Sequence, residues 1–186
     1  MAYVVEGQRT FTVEEYHRMG EAGVFAPDER VELIRGVIRE MSPKGRRHSI
    51  AVGLANQIFV RRLEGRASVQ IQDTLTIEKI RSEPEPDVIV NSSPDLRDVR
   101  TEKSQPLLVI EVSESSLRFD RESKAQLYAE GGIPEYWIVN LVNDTLEVYR
   151  DPDSGAYRTR RDLKPTDTVS PISFPDLEIA VSDLLP

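Results

Sequence analysis

The sequence contains no cysteine and only two histidines, His17 and His48. Without cysteine, the chain has no disulfide framework, no thiolate metal site and no cysteine nucleophile. Two histidines are also too few for a zinc site built on three of them. Any metal site in this protein must therefore rest mainly on carboxylates.

The sequence also lacks a hydrophobic run of the ~18 to 20 residues that a membrane-spanning helix needs. Its first residues, MAYVVEGQR, do not show the basic-then-apolar order of a signal peptide. These two observations predict a cytoplasmic protein. With 186 residues, of which 39% are hydrophobic, the chain has the length and composition of one domain with its own core.

An excess of basic charge is missing as well. The chain has 24 lysines and arginines against 32 acidic residues, a net charge of −8, which disfavours a protein that simply coats DNA. Residues 44–66 differ from the rest of the chain because their charged residues are mostly basic. They form either a local face for nucleic acid or the ordinary solvated charges of a helix. These basic residues are Lys44, Arg46, Arg47, Arg61, Arg62 and Arg66.

Local signals predict a helix, a hairpin and a second helix in the first third of the chain. Thr12 and Glu15 have the spacing of a capping box, which starts a helix. Arg35-Gly36 separates two short apolar runs, and glycine accepts the positive φ of a tight turn. Apolar residues then recur at helical spacing. The predicted elements are a helix over 13–21, strands over 30–34 and 37–41, and a helix over 47–64.

The rest of the chain predicts a sheet with one further helix. Two aliphatic runs, one opening at Asp87, are typical of strands buried on both faces. Asp120 is expected to cap a helix that ends at Gly131-Gly132. We predict strands over 68–78, 87–90, 106–112, 136–140, 145–149, 157–163 and 177–181. A single domain over 1–186 follows, with a core at about 30–150 and a C-terminal extension at about 151–186.

Two acidic residues lie where core strands are expected. Strand alternation puts Glu111 on the face of Val109 and Ser113, and Asp87 opens its own apolar run. An unpaired buried carboxylate costs several kcal/mol, so each acid needs a metal cation, a positively charged partner or a raised pKa. Mg²⁺ is usually held by one or two carboxylates, with water and substrate phosphate around it. Spacing alone favours a metal site and structural pairing with lysine or arginine equally.

Lys124 follows the strand of Glu111 on a predicted helix. Its spacing from Leu127 and Tyr128 puts the three side chains on one helical face, which can turn towards the sheet. A lysine there can orient a water or stabilise charge that develops on a phosphate. A single helical lysine more often faces solvent, so spacing alone leaves both interpretations open.

These residues occur in segments that together resemble the Uma2 family, the DUF820-type restriction endonucleases of the PD-(D/E)XK nuclease superfamily. The segments are Pro86-Asp87, Glu111-Val112-Ser113 and FDRESKAQLYAEGGIPEYWIVN, which runs from residue 119 to 140. The segment VELIRGVIREMSP at 31–43, together with His48, is similar to the N-terminal part of that family. The resemblance covers about residues 10–149.

The resemblance implies a mixed α/β, restriction-endonuclease-like fold with an αβββαβ core, an N-terminal helix and hairpin, and extra C-terminal strands. It implies that Asp87 and Glu111 bind Mg²⁺, or Mn²⁺ in its place, while Lys124 assists hydrolysis of a DNA phosphodiester. Glu32 would be a third metal carboxylate. The usual Glu-x-Lys motif is here Glu111-Val112-Ser113, so Lys124 must act from the helix. The expected partners are nucleic acid and a second copy of the chain, as a homodimer.

Other functions fit the same residues. The negative net charge and Ser113 at the usual lysine position favour a catalytically silent binding module that keeps the fold. A hydrolase of another phosphate ester is a further alternative. His48 either contacts phosphate or caps its helix. Tyr128 either supports Lys124 or packs at the edge of the core. Glu32 is equally consistent with an ordinary charged residue of the hairpin.

Overall fold

The computed structural model describes residues 7–101 and 103–186. The chain divides into two compact units, one made of Met1–Pro43 with Thr74–Glu85 and the other of Lys44–Asp73 with Pro86–Pro186. The residues 1–6, in which we looked for a signal peptide, lie outside the described part. Among the described helices, none combines the length and the apolar character needed to cross a membrane.

The first unit contains the predicted helix and hairpin. Helix α1, Val13–Glu21, begins with a complete capping box, in which the Thr12 hydroxyl and the Glu15 carboxylate each accept a hydrogen bond from the other residue's backbone N–H. Strands β1, Val31–Ile34, and β2, Val37–Glu40, pair antiparallel. Arg35 and Gly36 have φ values of 52° and 76°, as a two-residue hairpin turn requires. Both predictions are confirmed.

The second unit is built around a six-stranded sheet in the order β3-β4-β5-β6-β7-β8. Strands β5 and β6 are parallel, and every other neighbouring pair in this sheet is antiparallel. A parallel pair needs a crossover connection, which the helical segment between β5 and β6 supplies. The strands are β3 Ser68–Ile71, β4 Val88–Asn91, β5 Pro106–Ser113, β6 Glu135–Asn140, β7 Thr145–Asp153 and β8 Ala156–Leu163.

Helices and short elements complete this unit. Helix α2 spans Arg46–Arg62, and the crossover consists of α3 Leu117–Phe119, a π-helical turn Asp120–Lys124 and α4 Ala125–Gly131. Strands β9 Thr168–Val169 and β10 Ile179–Ala180 form a separate pair. The order α2, β3, β4, β5, α4, β6 matches the expected αβββαβ core. Short 3₁₀ turns lie at Leu96–Asp98 and Val181–Leu184, and a third, Glu78–Ile80, belongs to the first unit.

The two faces of the sheet have different roles. On one face, side chains from β4, β5 and β6 join apolar residues of α2 in the main hydrophobic core, which includes Phe59, Ile110 and Trp137. Alternation along β5 turns Glu111 and Ser113 to the opposite face. The burial of Trp137 and the predicted face of Glu111 are both confirmed. The second face therefore carries the polar residues considered below.

Three strand predictions need correction. The strand expected over 68–78 ends at Ile71, because Gln72 adopts a left-handed φ of 52° and residues 74–85 belong to the first unit. The strand expected from Asp87 begins one residue later, at Val88. The strand expected over 177–181 is reduced to Ile179–Ala180, which pairs with β9.

The predicted cap at Asp120 is wrong. The helical segment already begins at Leu117, so Asp120 lies inside it, and its side chain is buried. Its Oδ2 accepts hydrogen bonds from the hydroxyls of Ser113 and Ser116, both at 2.6 Å. These two hydroxyl groups, which precede the helical segment, provide hydrogen bonds to the buried carboxylate. The predicted stop is confirmed, since Gly132 has a φ of 81° at the end of α4.

Candidate functional site

Asp87 and Glu111 lie side by side. Asp87 directly precedes β4, and β4 pairs with β5 so that Val88 is opposite Ile110, which puts Asp87 next to Glu111 in the register. The Val112 N–H donates to Oδ2 of Asp87 at 2.9 Å. The two acids are 5% and 4% exposed. The structure therefore brings together the two acids that the sequence singled out.

Three groups hold the Asp87 carboxylate in place. Its Oδ2 also lies 3.0 Å from Nε2 of His48, and its Oδ1 accepts from the Gln72 amide at 3.1 Å. Burial opposes ionisation, but the bonds from His48, Val112 and Gln72 outweigh it and keep the pKa of Asp87 below its ordinary value. Asp87 is thus a fixed, charged carboxylate, and His48 contacts it directly.

Glu111 is bound from the crossover helix. Its Oε1 accepts from Nζ of Lys124 at 2.8 Å and from the Tyr128 hydroxyl at 2.7 Å. Burial raises the pKa of Glu111 well above its ordinary value, against the opposing charge of Lys124, and the charges of Asp120 and Asp87 raise it further. Lys124 is only 5% exposed, so this helical lysine does not face solvent.

The π-helical turn explains how Lys124 reaches the sheet. Such turns widen a helix locally and often occur at functional sites. Lys124 is the last residue of the turn, and Tyr128, four residues later, shares its face, as the spacing predicted. Asp120, the first residue of the turn, is held by Ser113. Ser113, which stands where the Glu-x-Lys motif would have its lysine, therefore anchors the turn that carries Lys124.

A further buried acid on the same face, Glu147, was not among the residues predicted from the sequence. Glu147 on β7 accepts a bidentate bond from Arg121, a bond of 2.8 Å from Asn140 and a bond of 2.9 Å from Tyr149. Burial opposes ionisation, but the bonds from Arg121, Tyr149 and Asn140 keep the pKa of Glu147 below its ordinary value. Glu147 lies between Leu146 and Val148, so it interrupts a run of apolar residues as Glu111 does. This interruption was the sequence signal that could have identified it.

The other candidates were Glu32 and the basic residues of 44–66. Glu32 is buried on β1 of the first unit. In the basic region, Arg47 donates to the Leu141 carbonyl and pairs with Asp144. Arg66 forms a bidentate pair with Asp176. Part of the basic charge of residues 44–66 therefore serves contacts within the chain.

The chemistry of Asp87 and Glu111 fits a magnesium ion. Among the hydrogen bonds of the described residues, Oδ1 of Asp87 accepts one and Oε2 of Glu111 accepts none, so lone pairs remain on both. Within residues 7–101 and 103–186, no group of three or more histidine, aspartate or glutamate side chains is arranged as a metal site. Two carboxylates completed by water and substrate oxygens suit Mg²⁺, which keeps much of its water.

Comparisons with known proteins identify the family and the fold of the chain. The model of the Uma2 family, described as "Putative restriction endonuclease", matches residues 13–182. A crystal structure of a "putative nuclease belonging to DUF820" from Anabaena variabilis is similar, with a TM-score of 0.69 and 19% identity over 94% of this chain and 97% of that chain. This likeness shows that the fold is the nuclease-like mixed α/β fold. No curated protein matches the sequence. Because the family model spans nearly the whole chain, the protein belongs to the Uma2 family of restriction-endonuclease-like proteins.

Proposed function

We propose that the protein is a metal-dependent endonuclease that hydrolyses phosphodiester bonds, with DNA as its substrate. The observation that carries this proposal is the convergence of Asp87, Glu111 and Lys124 at one buried point of the sheet. Membership of a nuclease-like family supports the same reaction class. The fold alone does not establish activity, so the argument rests on the chemistry of these side chains.

Each residue has a distinct role in this proposal. Asp87 and Glu111 would hold Mg²⁺, with Mn²⁺ as a substitute. When bound, the ion would polarise a phosphoryl oxygen and neutralise its charge. His48 and Gln72 keep the Asp87 carboxylate in one orientation. The Lys124 ammonium would stabilise the charge that develops on the phosphate or orient the attacking water.

One observation favours a second candidate, a binding module without catalysis. Lys124 and Tyr128 already satisfy Oε1 of Glu111, as in a buried ion pair that serves the fold. The net charge of −8 does not favour tight, non-specific contact with nucleic acid. This candidate differs from the endonuclease in one measurable property, since it predicts no turnover under any metal condition.

A cleavage assay separates these functions. Purified protein would be incubated with duplex DNA, single-stranded DNA, RNA and bis(4-nitrophenyl) phosphate, each with Mg²⁺, Mn²⁺ or EDTA. We expect metal-dependent cleavage of DNA and no cleavage in EDTA. Cleavage of only the small ester would instead indicate a hydrolase of another phosphate ester. If no substrate is cleaved with either metal, the endonuclease proposal is wrong and the binding module is the better conclusion.

We also propose that two copies of the chain pair to cut both strands of a duplex. Strand β8 lies at an edge of the six-stranded sheet, and an edge strand can pair with a second chain. A two-fold symmetric pair is the commonest oligomer of soluble proteins. Light scattering at micromolar concentration should therefore give the mass of a dimer, and the mass of a single chain would contradict this proposal.

A further inference from the structure

A cavity of about 540 Å³ opens beside the Glu111 site, between the crossover helix and the β7–β8 hairpin. Its size is within the range of sites that bind small ligands or single groups of a larger one. Arginines come from both sides, with Arg118 and Arg121 from the helix and Arg160 from β8. The lining residues are Leu117, Arg118, Arg121, Glu122, Tyr149 and Arg160.

Glu147 holds two of these arginines in place. Arg121 uses Nε and Nη2 to bind both oxygens of this fully buried carboxylate, at distances from 2.5 to 3.1 Å. Arg160 approaches Oε2 of Glu147 at 3.2 Å and lies over the Tyr149 ring, 5.5 Å from its centroid. The side chains of Arg121 and Arg160 are still 33% and 41% exposed. Arg160 also donates from Nε and Nη2 to Asp162, at 2.9 and 3.0 Å. Each guanidinium carries five N–H donors, so the Nη1 donors of Arg121 and Arg160 remain for a ligand after these contacts.

Arg118 is the most exposed arginine of the set. It is 89% exposed, and it pairs with Glu122 one helical turn away, at 3.2 and 3.3 Å. Exposed pairs of this kind contribute little to stability. Arg118 can therefore exchange Glu122 for a stronger anion, whereas Arg121 and Arg160 are already oriented. A phosphate suits such a set, because guanidinium groups bind phosphate oxygens in a bidentate manner.

The position of the cavity relates it to the proposed active site. Glu111 is opposite Ile138 on β6, and Ile138 is opposite Glu147 on β7, so the two acids lie in one row on the same face. Strands two places apart are separated by roughly 10 Å. From one π-helical turn, Lys124 pairs with Glu111 and Arg121 pairs with Glu147. The distance of roughly 10 Å between the strands of Glu111 and Glu147 is comparable to the distance between nearby phosphates along a nucleic-acid strand.

We propose that this arginine cavity binds a flanking phosphate of the nucleic-acid strand whose scissile phosphate lies at Glu111 and Lys124. The inference rests on the proposed function and extends it to the substrate class. A polynucleotide would occupy both positions, whereas a small phosphate ester has no second phosphate to place in the cavity. The site therefore favours polymeric nucleic acid over small esters.

The test is a binding measurement that needs no catalysis. Fluorescence anisotropy of a labelled single-stranded DNA oligonucleotide would be recorded in EDTA over a series of salt concentrations. We expect the double variant Arg118→Gln and Arg160→Gln to bind at least ~10-fold more weakly and its salt slope to fall by about 0.7, because the contact with one phosphate of a single strand is lost. Arg121 is retained, since removing it would leave Glu147 buried without its main partner.

Arg158→Gln is the matched control, because Arg158 is an exposed arginine on the same strand as Arg160 and pairs with Asp153 outside the cavity. The control should bind like wild type. The single variant Arg118→Gln controls for a folding defect in the double variant, since the Arg118 side chain is almost fully exposed. It should weaken binding by itself and leave the melting temperature unchanged.

The outcomes distinguish this site from the proposed activity. Unchanged binding in both Arg118→Gln and the double variant overturns the arginine cavity, even if wild type cleaves DNA. Equal losses in the double variant and the Arg158→Gln control also overturn it, because they indicate a general charge effect. Weaker binding in the cavity variants, with unchanged binding in Arg158→Gln, supports the site. This holds even if wild type cleaves no substrate.

Discussion

Lys124→Met is expected to slow phosphodiester cleavage by ~10²-fold or more, as when other positioned electrostatic groups are removed. Methionine keeps most of the apolar stem but has no charge. The loss should appear in the chemical step, because the Lys124 amine lies at the Glu111 carboxylate where the reacting phosphate would bind. Single-turnover cleavage at saturating Mg²⁺ measures this step directly. Lys164→Met, which changes an exposed lysine of the same unit, should cleave at the wild-type rate.

A purely structural role for Lys124 predicts a different pattern. Removing the lysine leaves Glu111 buried without its cation, which destabilises the fold. Adding Glu111→Gln would remove that unpaired charge, so a structural pair should regain much of its thermal stability in the double variant. The catalytic role predicts that activity does not return with stability. If Lys124→Met cleaves DNA as fast as wild type, Lys124 is not the displaced catalytic lysine.

Asp87→Asn is expected to abolish stabilisation of the protein by divalent metal. A ligand that binds only the folded state adds about 2.7 kcal/mol to the free energy of unfolding at 100 times its Kd. Wild type should therefore melt at a higher temperature in Mg²⁺ or Mn²⁺ than in EDTA. Asparagine can still accept a hydrogen bond from Val112 or from Gln72 with its one side-chain oxygen, but it loses the negative charge that attracts the ion. Calorimetry with each metal and with EDTA provides the measurement.

The control for this experiment is Asp95→Asn, which neutralises a half-exposed aspartate that caps a 3₁₀ turn, a role that asparagine can also fill. It should show the same metal-induced shift as wild type. An equal shift in Asp87→Asn would place the metal elsewhere, and no shift in wild type would remove the metal from the proposal. The cleavage rate of Asp87→Asn should fall along with its metal-induced shift in melting temperature, since the same carboxylate serves metal binding and cleavage.

Several features of this protein could be predicted because their causes are local in the sequence. The capping box at Thr12 and Glu15, the turn at Arg35-Gly36 and the glycine stop at Gly132 each depend on a few adjacent residues. Alternation along the chain likewise showed that Glu111 interrupts a buried strand and must have a partner. These signals, together with the family resemblance, were sufficient for the fold class and for the choice of Asp87, Glu111 and Lys124 as candidates.

The partners of those residues were decided by the tertiary structure. Antiparallel register between β4 and β5 puts Asp87 beside Glu111, and the left-handed turn at Gln72 lets that residue hold Asp87. Asp120 is buried against Ser113 rather than placed at a helix end.

The same holds for Arg121 and Glu147, which are 26 residues apart and meet only because the crossover helix lies over the sheet. The sequence by itself therefore determined which residues carry charge into the core. Strand register and helix placement, which no local pattern encodes, decided which of those charges meet.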